Sequence, residues 1–95
     1  MVKIRLIGSL VSYAQTSEIT VDTDNPIAVR DLMARMEQRP GTQKLMKMIM
    51  DPELNDPRPN VVILINNRDI GTLQGLDSKL HNNDVVTLVP VTHGG

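Results

Sequence analysis

The side chains that could perform catalysis are few and scattered. The histidines are His81, in a predicted turn, and His93, near the end of the printed sequence; neither has an Asp or Glu at the spacing of a metal site. The sequence has no cysteine, which excludes disulfides, thiolate metal sites and cysteine nucleophiles. We therefore expect no catalytic residue and no metal site, and we predict that the chain is not an enzyme. The remaining polar candidates are loop serines without a nearby base and acids expected to form a solvated loop: Ser9, Ser12, Ser17, Asp51, Glu53 and Asp56.

The pair Gly94-Gly95, with which the printed sequence ends, is the remaining place where chemistry could occur. A free carboxylate is a poor electrophile because its charge repels nucleophiles, but conversion to an acyl adenylate would supply a leaving group. A sulfur donor could then give a thiocarboxylate, or a lysine amine could give an isopeptide bond. Glycine lacks a Cβ and adopts both signs of φ, so the pair suits a narrow enzyme channel. Since there is no cysteine, carried sulfur would have to sit on the Gly95 carboxyl carbon.

The last residues also have simpler interpretations. An ordinary frayed end with no role is the alternative for the glycine pair. His93 is expected to be a solvated tail residue, and a contact between its imidazole and a partner protein is the second possibility. We expect residues 90–95 to form a flexible tail on a single domain that spans residues 1–95.

Size and composition restrict the fold and the partners. The sequence has 95 residues, enough for one domain with a modest core, and Tyr13 is its only aromatic residue. The core must therefore be aliphatic. The net charge is −1 with acids and bases interspersed, which argues against direct binding of nucleic acid. No apolar run approaches the roughly 20 residues of a membrane span, and no signal peptide is recognisable, so we predict a soluble cytoplasmic protein.

Hydrophobic periodicity predicts two strands at the start of the chain. Val2, Ile4 and Leu6 alternate with polar residues, and Ile19 and Val21 do the same. A polar loop runs between the two segments as far as residue 17. A β-hairpin with a wide loop is the expected structure.

Helical segments come next. Asn25 is a candidate N-cap, and Pro26 fits the first turn of a helix. Asp31 and Arg35 predict an exposed i,i+4 ion pair. Pro40-Gly41 ends this helix, and residues 42–50 predict a short second one. The predicted buried stripes are Val29, Leu32, Met33 and Met36 on the first helix and Leu45, Met46 and Ile49 on the second.

Two strands are predicted in the second half. Residues 61–65, VVILI, are apolar and β-branched, so this strand is expected to be covered on both faces, or on one face with a binding surface on the other. The proline-rich residues 51–60 before it form a loop, and residues 73–80 form short turns. Val85 to Val89 form the last strand, which Pro90 closes. The order β-β-α-β-β predicts an α+β fold of the β-grasp type, in which a mixed sheet packs on one main helix and the first and last strands lie side by side.

The last third of the sequence resembles the ubiquitin-related modifier family. An apolar strand runs into Ile-Asn, a Leu-x-Gly-Leu-Asp-x-x-Leu stretch follows, and a turn ending in Asp leads to a final strand and His-Gly-Gly. The residues that carry the resemblance are Ile65, Asn66, Leu73, Gly75, Leu76, Asp77, Leu80, Asp84 and His93-Gly94-Gly95.

The chain is also similar to the small subunit of molybdopterin synthase, which shares the fold and the Gly-Gly end. That subunit tends to have Pro-Pro before the tail and a small residue before the glycines. Pro90-Val91 and His93 stand at those places here, which favours the modifier family. Departures from the eukaryotic modifier, such as Asp69-Ile70-Gly71 where a tryptophan is common, indicate an archaeal-type relative.

The resemblance implies that other proteins act on Gly95. An adenylating enzyme like those that activate ubiquitin would use ATP to adenylate the Gly95 carboxylate. Because that enzyme would bind the ATP, the chain itself would need no cofactor. The thiocarboxylate would donate sulfur to a sulfurtransferase or tRNA-thiolation enzyme, for thiolation of a tRNA uridine, or the carboxylate would be conjugated to lysines of target proteins. The small subunit of molybdopterin synthase is the alternative function. Lysines of this chain on which a further copy could be placed are Lys3, Lys44, Lys47 and Lys79.

Strand parity predicts a partner-binding surface. If alternate positions of the first strand face the helix, Ile7 lies on the opposite face, and the same argument turns Leu64 and Val89 outward. These three residues would form an exposed apolar patch beside the tail, and such patches mark partner sites. The alternative is that residues 8–17 cover the patch.

Overall fold

The computed structural model describes residues 1–23 and 26–91. In these ranges the chain forms a five-stranded sheet, a small two-stranded ribbon and three α-helices. The strands are β1 (Val2–Leu6), β2 (Glu18–Val21), β3 (Ile27–Ala28), β4 (Val61–Ile65), β5 (Arg68–Asp69), β6 (Lys79–Leu80) and β7 (Val85–Pro90). The helices are α1 (Leu10–Ala14), α2 (Val29–Gln38) and α3 (Gln43–Ile49), and short 3₁₀ turns span Ile70–Thr72 and Gly75–Asp77.

The first and last long strands lie side by side in the sheet, as predicted. The strand order is β2-β1-β7-β4-β5, with β1 parallel to β7 and antiparallel to β2. β4 runs antiparallel to both β7 and β5. The sheet is therefore mixed, and the predicted α+β fold with a mixed sheet is confirmed.

The core lies between one face of the sheet and the helices. Every second residue of β1 is buried, and Val86 and Leu88 of β7 are buried on the same face. The predicted stripes of α2 and α3 are buried against them, which confirms both helical periodicities. In β4, Ile63 is buried and Val62 is exposed, so this strand is covered on one face only.

The segment between β1 and β2 contains the helix α1, where a polar loop is predicted. Gly8 adopts a positive φ of 60°, which lets the chain leave β1 sharply, and Gln15 ends the helix in the left-handed region. Leu10 is buried in the common core, and α1 packs against α3. The burial of Leu10 explains why this mostly polar stretch is ordered as a helix.

The helix α2 begins later than predicted. Its N-cap is Ala28, and Pro26 precedes the helix and does not lie in its first turn. The physical reason is that Ile27 pairs with Leu80 of β6, which holds the backbone extended. The Val29 N–H then donates to the Ser78 carbonyl at 3.0 Å. Asn25, the predicted N-cap, lies outside the described residues.

Arg35 does not pair with Asp31 in the described structure, so that prediction is wrong. Its Nη1 donates to the main-chain carbonyl of Asp22 at 3.0 Å. Arg39, which follows α2 directly, donates in the same way to the carbonyl of Thr20 at 2.9 Å. Both arginines therefore connect the helix to the neighbourhood of β2.

The last two described residues, Pro90 and Val91, are held by the sheet. Pro90 is the last residue of β7 and pairs with Val61. The Val91 N–H donates to the Asn60 carbonyl at 2.9 Å. The prediction that Pro90 and Val91 belong to the tail is wrong because both continue the ladder with β4; residues 92–95 lie outside the described part.

The loop before β4 is shaped by two aspartates. The Asp51 Oδ1 accepts hydrogen bonds from the N–H groups of Glu53 and Leu54, both at 2.9 Å. The Asp56 Oδ1 accepts from the Arg58 N–H at 2.9 Å, and the Asp56 Oδ2 accepts from the Arg58 Nη2 at 2.6 Å. Asp51 and Asp56 are therefore more than solvated acids, because they fix the turns of this loop.

We expect Asp56→Asn to lower the free energy of unfolding at neutral pH by about 1 kcal/mol, because it removes a charge-assisted contact that is partly exposed. The hydrogen bond from the Arg58 side chain holds the pKa of Asp56 below its ordinary value. A depressed folded-state pKa gives stability that is complete above the unfolded-state pKa, near 4, and is lost as pH falls through the folded value. Urea unfolding of both proteins across this pH range measures the difference.

Glu53→Gln serves as the control for Asp56→Asn because Glu53 lies in the same loop and is exposed. Its unfolding free energy should stay within about 0.5 kcal/mol of the parent. The difference in unfolding free energy between Asp56→Asn and the parent should shrink at the lowest pH. If it stayed unchanged there, the charged Asp56 carboxylate would not be the source of the stabilisation.

Strand parity in β4 predicts unequal costs for neighbouring truncations. Ile63→Ala should lower the unfolding free energy by about 2–5 kcal/mol, because a fully buried side chain leaves a cavity. Val62→Ala should cost about 1 kcal/mol or less, because this side chain faces solvent. Urea midpoints measure both, and equal losses would contradict the one-sided burial of β4.

Candidate functional site

The predicted patch residues lie on the sheet face that the helices leave open. The Ile7 N–H donates to the Leu88 carbonyl at 3.1 Å, which extends the β1–β7 ladder and places Ile7 beside Val89. Val89 pairs with Val62 of β4. Ile7, Val89 and Val62 therefore form an apolar row across three strands. Leu64 lies next to this row on the same face of β4, since it is two residues from Val62.

These four residues, Ile7, Val62, Leu64 and Val89, are named the sheet patch. Ile7 is 42% exposed and Val62 36% exposed, whereas Leu64 and Val89 are half-buried. Val62 was not predicted as part of the patch. Its signal in the sequence is parity alone, because it precedes Leu64 by two residues in the same strand.

Residues 8–17 do not cover the sheet patch. Half of them form α1, which packs against α3 with Leu10 in the core. Since α3 also buries its apolar stripe in that core, α1 and α3 both belong to the helical side of the sheet. No other described residue lies over the patch in a way that hides Ile7 or Val62, because both stay exposed.

A charged row borders the sheet patch. Arg5 pairs with Thr87 on one side and with Glu18 on the other, and Thr87 pairs with Leu64. Thr87 is buried and Arg5 is exposed. The Lys3 Nζ lies 3.6 Å from the Glu18 carboxylate, so the acidic residue opposite Arg5 forms an ion pair with Lys3. The patch is therefore apolar on the side of Val62 and basic on the side of β1.

The last described residues leave the sheet next to this patch. Val91 is 36% exposed and follows Val89 by two residues. Pro90 packs near Gly8, where an added Cβ would lie 3.5 Å from the Pro90 Cγ. Gly94, Gly95 and His93, which were predicted as the reactive pair and a tail residue, lie outside the described residues. The structure places the sheet patch beside the point from which the chain continues toward them.

The other polar candidates do not assemble into a catalytic site. His81 does lie near an acid, since its Nδ1 is 3.8 Å from the Asp84 Oδ2, but this single contact is not a metal site. That carboxylate already accepts the His81 N–H at 2.7 Å, so it shapes the turn before β7. Across the described ranges, no three side chains of His, Cys, Asp and Glu lie close enough to hold a metal ion. Within residues 1–23 and 26–91, no helix has the length and apolar character needed to cross a membrane.

The fold is shared with solved structures of small β-grasp proteins. SAMP1 from Haloferax volcanii has a TM-score of 0.81 and 18% identity, over 99% of this chain and 98% of that chain. A Pyrococcus furiosus protein described as a candidate molybdopterin converting factor, subunit 1, has a TM-score of 0.72 and 22% identity, over 96% of this chain and 97% of that chain. At these identities the likeness establishes the ubiquitin-like β-grasp fold and nothing finer.

Sequence comparison gives the family. The chain is 28% identical over 96 aligned residues to a protein of Archaeoglobus fulgidus described as a candidate sulfur carrier protein, and the alignment spans 99% of this chain and 98% of that protein. The model of the family described as Urm1, ubiquitin related modifier, matches residues 1–95. This match extends through the final strand to the Gly94-Gly95 pair, and the chain therefore belongs to the ubiquitin related modifier family.

Proposed function

We propose that this chain carries an activated carboxyl group, and that the carboxylate of Gly95 is the group that reacts. The observation that carries the proposal is the family match over residues 1–95, which includes the glycine pair. The relative described as a candidate sulfur carrier supports the same role. In this role the chain is the substrate of other proteins and supplies no catalytic side chain of its own.

The first step of the proposed chemistry is adenylation. The Gly95 carboxylate attacks the α-phosphate of ATP in the active site of a partner enzyme, and pyrophosphate leaves. The acyl adenylate has lost the carboxylate charge and holds AMP as its leaving group. The activating enzyme, and not this chain, would therefore bind ATP. The reaction would take place in the cytoplasm.

Sulfur transfer is one proposed fate of the adenylate. A hydrosulfide-level sulfur donor attacks the acyl carbon, so that a C–S bond forms as the C–O bond to AMP breaks, which leaves a thiocarboxylate on Gly95. Because the sequence has no cysteine, the chain offers no competing thiol. A sulfurtransferase or tRNA-thiolation enzyme would then pass the sulfur to a tRNA uridine, and contact with tRNA would be made by that enzyme.

Protein conjugation is the second proposed fate. A lysine amine of a target protein attacks the activated Gly95 carboxyl group and forms an isopeptide bond. Lysines of this chain are candidate acceptors of a further copy as well. All four lysines, Lys3, Lys44, Lys47 and Lys79, are exposed, and the Lys3 Nζ also lies 3.6 Å from the Glu18 carboxylate.

The sheet patch is the proposed surface for the activating enzyme. The sheet patch exposes apolar area next to Val91. An enzyme bound to this patch would therefore have the residues that follow Val91 in the sequence within reach. Arg5 at its border would be available to an acidic group of the enzyme. His93 would be a solvated tail residue or a further contact with the same enzyme.

The small subunit of molybdopterin synthase remains the competing function. The fold does not separate the two, since a protein described as a candidate molybdopterin converting factor subunit shares it. Isolation of the chain from its host in a tight complex with a larger synthase subunit would support this alternative.

Activation of Gly95 is tested by mass spectrometry of the chain incubated with its activating enzyme, ATP and a sulfur donor. We expect the intact chain to gain the mass difference between a sulfur and an oxygen atom, located on the last residue. A variant that ends at His93 should show no gain, because it lacks the glycine pair that the enzyme must accommodate. Equal adenylation of the shortened variant would contradict the proposal.

Val89→Asp tests the role of the sheet patch in this reaction. We expect kcat/KM for adenylation to fall about tenfold or more, because a buried carboxylate in an apolar contact is costly. The fold should be preserved, since Val89 faces away from the core. Thr20→Asp is the matched control, because Thr20 is exposed on β2, two strands away from β7. Unchanged kinetics for Val89→Asp would dismiss the patch as the enzyme-binding surface.

A further inference from the structure

The edge strand β2 directs alternate backbone groups away from the sheet. The Leu6 N–H donates to the Ser17 carbonyl at 2.9 Å, and the antiparallel register continues with Ile4 opposite Ile19. In such a ladder alternate residues bond to the neighbouring strand. The carbonyls of Thr20 and Asp22 therefore point outward, past the last strand of the sheet.

Two guanidinium groups occupy these outward carbonyls. Arg39 Nη1 donates to the Thr20 carbonyl at 2.9 Å, and Arg35 Nη1 donates to the Asp22 carbonyl at 3.0 Å. The opposite edge of the sheet, β5, has only two residues and runs directly into a 3₁₀ turn. Among the described strands, β2 is thus the edge that is long enough to accept another strand. Arg35 and Arg39 occupy the carbonyls with which that added strand would pair.

The spacing of the two arginines matches that of an extended strand. Residues two apart in a strand lie about 6.6–6.8 Å apart along its axis. Residues four apart on a helix are separated by about 6 Å along its axis. Arg35 in the last turn of α2 and Arg39 directly after it can therefore reach two alternate carbonyls at once. The same spacing suits two side chains on one face of an incoming strand.

This geometry discriminates between incoming strands by their charge. A neutral strand would have to displace both exposed guanidiniums from their carbonyls and would offer them no charged acceptor in exchange. A strand with two carboxylates separated by one residue would offer each guanidinium a charged acceptor in exchange. The bonds to the carbonyls have one charged partner, whereas a guanidinium–carboxylate contact has two and can be bidentate. The released carbonyls of Thr20 and Asp22 would then accept N–H groups of the added strand.

We propose that the β2 edge is a docking surface for an extended acidic peptide that carries two Asp or Glu residues separated by one residue. The peptide adds a strand to β2, and its carboxylates, on the face toward α2, bind Arg35 and Arg39. The Glu18 carboxylate does not oppose this, because it is turned to Lys3 on the open face. Asp22, whose side chain is exposed, is an acidic residue within this segment and should weaken binding slightly. The surface is separate from the sheet patch and does not depend on the chemistry of Gly95.

The probes are two blocked synthetic peptides, Thr-Val-Asp-Val-Asp-Val-Thr and its counterpart with Asn in place of Asp. Each is titrated into the full-length ¹⁵N-labelled chain. We expect the acidic peptide to bind at least about tenfold more tightly than the Asn peptide at low salt. The amide shifts should concentrate on residues 18–22 and the arginine side-chain shifts on Arg35 and Arg39.

The double variant Arg35→Gln with Arg39→Gln should lose this preference and bind both peptides with similar affinity. Arg30→Gln is the matched control: Arg30 lies on the same helix but binds Asp77, with its Nε 2.9 Å from the carboxylate, so the preference should be retained. If the double variant does not fold, each single variant should show a smaller loss of the preference. Asp22→Asn should strengthen binding of the acidic peptide.

Equal affinity of the parent chain for the two peptides would overturn the proposal, and so would shifts confined to the sheet patch. Self-association of the double variant, with no binding of either peptide to the parent chain, would also overturn it. That result would mean that the arginines only exclude a second copy of the chain from this edge.

Discussion

The parallel pairing of β1 with β7 is the contact on which the rest of the structure depends. It joins the first strand of the chain to the last in the middle of the sheet. Because Ile4 and Val86 pair with their side chains on the same face, this ladder defines which face becomes the core. The same register extends to Ile7 and Val89 and so creates the centre of the sheet patch. One pairing therefore sets both the buried face of the sheet and its open face.

The open face follows from an uneven distribution of helices. Each of the three α-helices in the described residues contributes buried apolar residues to one core, on one side of the sheet. The opposite side retains alternating residues that a second layer would otherwise cover. A small domain with a limited number of apolar residues cannot cover both faces. The exposure of Ile7 and Val62 is thus a consequence of size.

Much of this architecture could be predicted from the sequence because burial on one face leaves a clear period. Val2, Ile4 and Leu6 show the strand period, and the stripe of α2 shows the helical one. The alternation of side chains along a strand was enough to predict that Leu64 and Val89 face away from the helices. Patterns of this kind are local and need no knowledge of the neighbouring elements.

The features that sequence could not give are set by contacts between distant segments. Helix α1 is ordered because Leu10 reaches a core built mostly by other elements. The start of α2 is set by the pairing of Ile27 with Leu80, which no local propensity reports. The partner of Arg35 is a main-chain carbonyl of Asp22, whereas helical spacing favours Asp31. The proline-rich composition of residues 51–60 predicted a loop before β4, but it did not predict the hydrogen bonds of Asp51 and Asp56 that shape this loop.

The central position of β7 has a mechanical consequence. The strand is held by β1 on one side and β4 on the other, and Val91 adds a final bond to Asn60. A pull applied to the chain beyond Val91 acts along the axis of β7. It must slide this strand against two ladders together, whereas an edge strand would unzip one bond at a time. Any cargo fastened to that end would transmit its load to the best-anchored strand of the domain.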